Sequence, residues 1–236
     1  MILRFIRGLR VLLLVVLAFL PALHHASAQD TAAAKSPRFL SQIQAFERED
    51  SVHPPPRGCI LFIGSSIFRR WTRLAEQMAP LPVLNRAFGG SRTDEVYHYM
   101  DRVVLPYAPR EIVYYCGSND INARRTPDEI LGWFARFAVR VDSLLPDTRL
   151  FYVSINRAPQ KRDRWGRVDS ANALIRAFCA ASPRRAFIDV NTVLADAAGE
   201  PVPGMYLPDS LHLTDRAYEA MTGVIRPILE ESWRRR

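Results

Sequence analysis

A serine hydroxyl attacks a carbonyl only after a base has taken its proton, so the sequence is first searched for a serine and a base that could meet. Ser66 lies in Gly64-Ser65-Ser66, directly after the unbroken apolar run Cys59-Ile60-Leu61-Phe62-Ile63. A run of that length fits a strand buried on both faces. The residues after Ser66 can be helical. A serine at such a strand-to-helix turn holds its hydroxyl at the carboxyl edge of a sheet. Its N–H sits at a helix start, where negative charge is favoured. Taken alone, Gly-Ser-Ser is an ordinary turn.

Three histidines follow the N-terminal segment: His53, His98 and His212. His53 sits in the rigid lead-in His53-Pro54-Pro55-Pro56. His98 falls on a helix position that reads as solvent-facing. His212 comes three residues after Asp209, in a turn before a helix. At that spacing the carboxylate can hold the imidazole Nδ1–H and leave Nε2 for Ser66. Attack on an ester carbonyl would also need donors aimed at the oxyanion it creates. The sequence offers the N–H of Ser66, the N–H of Gly90 and the side-chain amide of Asn119. Glycine lets the backbone approach a substrate, and an asparagine amide is a neutral donor at any pH. Separately, Gly89-Gly90 reads as a turn, Asn119 as an Asx-turn and Asp-x-x-His as incidental. The question is whether one fold brings all of them to one place.

The elements that would do so alternate along the chain. Strands are expected at Cys59 to Ile63, Val83 to Asn85, Ile112 to Cys116, Leu150 to Ile155 and Ala186 to Val190. A first helix carries Phe39, Ile43 and Phe46. Others are expected from Ser66 to about Met78, from Ser91 with an acid three residues on, and from the Thr126-Pro127-Asp128-Glu129 start. A further helix is expected from about Asp169 to Ala181. A final one is capped by Thr214 and should kink at Pro227. The segment 156–167, with Lys161, Arg162, Arg164 and Trp165, reads as a polar loop able to touch a sugar or an anion, or simply as a solvated basic loop. Five alternating strand–helix units predict an α/β protein with a parallel sheet covered on both faces. Ligands of such sheets bind outside the carboxyl ends of the strands. Ser66, Gly90 and Asn119 all follow strands there, and Asp209 and His212 come after the last.

Composition narrows the class further. The chain has 236 residues, 48% hydrophobic and 24% charged, as expected of a globular protein. Arg4, Arg7 and Arg10, the apolar stretch 11–22 and Ala26-Ser27-Ala28 have the order of a secretory signal peptide. An uncleaved anchor is the alternative. We therefore expect a signal peptide at 1–28, a linker and helix at 29–57, and one catalytic domain at 58–236, periplasmic or secreted. Removing three arginines and no acids lowers the net charge from +8 to +5. No basic stretch is interleaved with aromatics, so nucleic acid is not an expected partner. Neither is stable membrane insertion after cleavage. Cys59, Cys116 and Cys179 match no metal spacing. Cys59 and Cys116 could pair, but neighbouring strand positions rarely have disulfide geometry, and buried thiols are expected.

Four blocks, in order, resemble the SGNH hydrolases, also called the GDSL esterase/lipase family. They are Gly64-Ser65-Ser66-Ile67, Asn85-Arg86-Ala87-Phe88-Gly89-Gly90, Gly117-Ser118-Asn119-Asp120 and Asp209-Ser210-Leu211-His212. The resemblance runs from about Gly58 to Tyr218, and departs where Ser65 stands in place of the Asp of the name motif. It implies a flavodoxin-like three-layer α/β/α sandwich with a five-stranded parallel sheet. It also implies a Ser66–His212–Asp209 triad, an oxyanion hole of Ser66, Gly90 and Asn119, and no metal or organic cofactor. The expected activity is hydrolysis of short acyl esters, acetyl first, on a small molecule or a carbohydrate. An acyltransferase, thioesterase or lysophospholipase with the same triad, or a non-catalytic carbohydrate-binding protein, remain as alternatives.

Overall fold

The computed structural model describes residues 37–235, with a backbone path only for Pro37. The expected signal peptide at 1–28 and the start of the expected linker lie outside the described residues. In chain order the elements are α1 (Leu40–Val52), β1 (Ile60–Gly64), α2 (Ser66–Arg69), α3 (Leu74–Met78), β2 (Val83–Asn85), α4 (Thr93–His98), α5 (Met100–Val103), β3 (Glu111–Tyr115), α6 (Ser118–Asn122), α7 (Pro127–Leu144), β4 (Arg149–Val153), α8 (Trp165–Ala180), β5 (Arg185–Ile188), α9 (Asn191–Leu194) and α10 (Asp215–Arg234).

The five strands form one parallel sheet in the order β2-β1-β3-β4-β5. Phe62 lies opposite Asn85 on one side and Val113 on the other. The chain leaves β1 for β2 and then crosses back over β1 to reach β3. Strand order therefore reverses between β1 and β3, the place where such sheets bind ligands.

Period-2 alternation splits the strands between two cores. Leu61, Ile63, Ile112, Tyr114, Leu150 and Tyr152 pack with Ile43, Val96, Met100, Phe134 and Ile175 on one face. Ile60, Phe62, Val113, Tyr115, Phe151 and Val153 pack with Phe68, Leu74, Met221, Ile225 and Leu229 on the other. Helices thus cover both faces, giving the three-layer α/β/α sandwich. Each fully buried Phe or Ile is worth about 1.5–3 kcal/mol over an exposed one. A four-residue helix such as α2 does not persist alone. Its place is set by buried Ile67 and Phe68, and by the Tyr218 hydroxyl of α10, which donates to the Ile67 carbonyl (2.8 Å).

Several boundaries differ from the sequence reading. The helix expected from Ser66 to about Met78 is broken at 70–73, because buried Trp71 turns inward. Its N–H donates to Phe68 O (3.0 Å), its indole N–H to Gln77 Oε1 (2.5 Å), and its ring stacks on Tyr218. At α4 the capping residue is Arg92, not Ser91, and Glu95 reaches back to the Arg92 N–H (2.9 Å). The helix expected from Asp169 begins four residues earlier, at Trp165. Helix α10 contains Pro227 in its interior. Cys59, Cys116 and Cys179 are buried free thiols, with no bond between Cys59 and Cys116.

Candidate active site

The carboxyl end of β1 is shaped by a glycine that nothing else could replace. Gly64 has φ +137°, and a Cβ there would stand 1.8 Å from the Tyr115 carbonyl oxygen of β3. The chain then turns so that Ser66 takes the first position of α2. No intrahelical carbonyl can reach an N–H at that position.

His212 Nε2 lies 3.1 Å from Ser66 Oγ, and His212 Nδ1 lies 2.6 Å from Asp209 Oδ2. The other carboxylate oxygen of Asp209 accepts the N–H groups of Leu211 (3.0 Å) and His212 (2.9 Å). The His212 imidazole, followed by these N–H groups, holds the Asp209 carboxyl far below the usual carboxylate range. It is therefore ionised throughout neutral pH. The turn that carries both residues passes through Ser210 at φ +57°, a conformation uncommon outside glycine. Three backbone bonds close it: Ser210 N to Leu207 O, Leu207 N to His212 O, and Gln160 N to Ser210 O. Thr214 follows directly and caps α10, accepting the Ala217 N–H at 3.3 Å. The turn thus stands on the longest helix of the described chain.

Gly90 follows β2, with φ +84°. Its carbonyl accepts from Arg38 (3.3 Å), and the Gly89 N–H donates to Gln42 Oε1 (3.2 Å). The first helix, expected from the sequence only as an element ahead of the sheet, and the turn before it therefore grip this loop through Gln42 and Arg38. Asn119 follows β3 and donates one amide proton to the Ser91 carbonyl (3.0 Å), which leaves the second. Ser91 is buried, and its hydroxyl donates to the Gly64 carbonyl (3.0 Å). One serine thus ties the chain before Ser66 to the amide of Asn119. Beside it, buried Asp120 accepts the Thr93 hydroxyl (2.6 Å), the Thr93 N–H and Arg125 (3.1 Å). Local sequence marked Ser91 only as a helix cap and gave Asp120 no role, because Gly64, Asn119 and Thr93, their partners across the rim, lie 27 or 28 residues away.

Trp165 is not a free platform. Arg157 and Arg162 lie over its ring, 4.9 and 4.5 Å from the centroid, and its indole N–H donates to Ala158 O. His53 is exposed and belongs to no such array; His98 packs edge-on against Tyr99. Among the described residues there is no group of three or more His, Cys, Asp or Glu side chains suited to a metal ion. Nor is any helix among them long and apolar enough to cross a membrane.

The chain is a three-layer α/β/α protein in which Asp209, His212 and Ser66 are hydrogen-bonded in line at the carboxyl edge of the parallel sheet. It belongs to the GDSL-like lipase/acylhydrolase family, whose model matches residues 62–220. No curated protein matches the sequence. Among solved structures, the chain is similar to a GDSL-like lipase from Bacteroides thetaiotaomicron, with TM-score 0.71 and 19% identity over 80% of this chain and 98% of that one. A provisionally assigned acylhydrolase from Bacteroides fragilis gives TM-score 0.71 and 17% identity over 80% and 96%. A provisionally assigned platelet activating factor from Streptococcus pneumoniae gives 0.70 and 23% over 80% and 92%. At these identities the likeness is one of fold.

Proposed function

We propose that this protein is a serine esterase that passes short acyl groups from exposed esters to water. The observation that carries this reading is the unbroken hydrogen-bonded line from Asp209 through His212 to Ser66. Ser66 Oγ attacks the carbonyl carbon as His212 Nε2 takes its proton. Ionised Asp209 keeps the imidazole in the tautomer with its proton on Nδ1 and stabilises the imidazolium that forms. The N–H groups of Ser66 and Gly90 and the remaining amide proton of Asn119 face the oxyanion. Collapse of the tetrahedral intermediate expels the alcohol, which takes the proton from His212 and leaves an acyl-Ser66 ester. Water, deprotonated by the same imidazole, then releases the acid and restores the serine.

The Asp209 side chain is 46% accessible, so water, the acceptor in this reading, can reach the edge of the site. The same openness suits a small acyl group on a bulky alcohol, and we take an acetyl ester on a carbohydrate as the substrate type. With Trp165 covered by two arginines, that choice rests on openness alone. The N-terminal sequence adds a periplasmic or secreted location to the proposal.

Ser66→Ala should lower kcat on p-nitrophenyl acetate by at least about 10³-fold while leaving the thermal midpoint within about 2 °C of the parent. Turnover that survives this change would remove Ser66 from the reaction. A screen of acetylated sugars, acyl-thioesters and lysophospholipids against the same pair of proteins identifies the natural class.

A further inference from the structure

Guanidinium groups crowd the loop that carries Gly90, and their pairing is uneven. Arg38 and Arg92 share the buried carboxylate of Glu95, each at 3.3 Å. Arg69, exposed to water, makes no ion pair among the described residues, although most of the described arginines do. It is three residues after Ser66 in α2, and its side chain lies across Gly89. A Cβ at Gly89 would stand 2.8 Å from its Nη1 and 3.1 Å from its Cδ. Any larger residue at position 89 would push Arg69 away.

Arg69 also lines a cavity of about 300 Å³ between α1 and β2, together with Trp71, Leu74, Asn85 and Arg86. The other cation there, Arg86, is already answered by Asp50 and by Glu49 (3.4 Å). The charge left unanswered beside the cavity is therefore that of Arg69. A guanidinium offers a rigid fork of donors that matches a carboxylate or phosphate. The cavity has room for such a group, and Gly89, which Arg69 crosses, is the chain neighbour of Gly90.

We propose that Arg69 is a specificity residue that selects esters carrying a carboxylate or phosphate close to the scissile bond. This rests on the esterase reading and narrows its substrate class to anionic esters. Three probes test it: neutral p-nitrophenyl acetate, p-nitrophenyl hemisuccinate with the anion on the acyl side, and 4-acetoxyphenyl phosphate with the anion on the alcohol side. Arg69→Met should lower the ratio of kcat/KM for an anionic probe over the neutral one by about five- to tenfold, mostly through KM. Arg69→Lys should keep most of that ratio, and added salt should erode it in the parent. A fall confined to one anionic probe supports the proposal and identifies the side that Arg69 reads. A ratio unchanged for both probes overturns it.

Binding separates this proposal from the esterase reading. In the Ser66→Ala background, calorimetry with 4-acetoxyphenyl phosphate should show about fivefold weaker binding when Arg69→Met is added. Discrimination in binding without turnover in the parent would sink the esterase reading and leave Arg69 standing. Turnover without discrimination would do the reverse.

Discussion

Asp209 keeps 46% of its side chain in water, whereas Asp120 keeps none, although both stand at the same edge of the sheet. Asp209 sits in a three-residue loop of its own making and touches one imidazole and two nearby N–H groups. Asp120 is locked between the start of α4 and Arg125, 27 residues away at one end and five at the other. The His212 imidazole drives the Asp209 carboxyl down, and burial drives that of Asp120 up despite its donors. The difference teaches how a rim divides labour. On the proposed mechanism, the carboxylate that answers a charge appearing on a neighbour is left in contact with solvent and held by short-range bonds. A carboxylate that must keep two loops in register is taken out of water and given several fixed partners.

The contrast breaks first, and most visibly, in turnover. Asp209→Asn should cost about 10³–10⁴-fold in kcat on p-nitrophenyl acetate, because an amide partner no longer fixes the useful tautomer. Its thermal midpoint should move little. Asp120→Asn should do the opposite. It leaves kcat within about tenfold but costs about 1–3 kcal/mol, since Thr93 and Arg125 lose a charged acceptor in a buried place. Differential scanning calorimetry beside steady-state assays separates the two. Equal losses of kcat in both variants would erase the distinction.

The smallest effect is in acid. A carboxyl whose folded pKa is depressed contributes stability above its unfolded value of about 3.9, and that contribution disappears as pH falls further. For Asp209, exposed as it is, the contribution is under about 1 kcal/mol. The gap in thermal midpoint between parent and Asp209→Asn should therefore begin to narrow below about pH 5 and keep narrowing past pH 3, toward the depressed folded value. A raised pKa has the reverse sign. Whatever Asp120 contributes is largest at low pH and falls as pH rises through its folded value, so the gap to Asp120→Asn should widen on acidification. Gaps that move in the same direction would show that the two carboxyls do not differ in this way.

Most of the architecture was legible because it is written in local apolar runs. Each expected strand appears within one or two residues, and the parallel order follows from the helices between them. Family blocks carried the candidate residues to one rim. What escaped depended on contacts that periodicity does not signal, some of them distant in the chain. Trp71 sits at an acceptable helical spacing, yet Gln77 and Tyr218 pull it out of the helix expected across it. Trp165 looked available until Arg157 and Arg162, neighbours in space over its ring, were seen to cover it. Ser91 and Asp120 are short polar residues in a loop and a helix start. Nothing near them in the chain signals that one holds the Asn119 amide and the other anchors α4.

His212 is made 146 residues after Ser66. On the proposed mechanism, a growing chain carries its hydroxyl through most of synthesis with no partner to activate it, and any product that stops before residue 212 never gains one. On that reading, copies truncated before His212 are silent however well their early strands assemble.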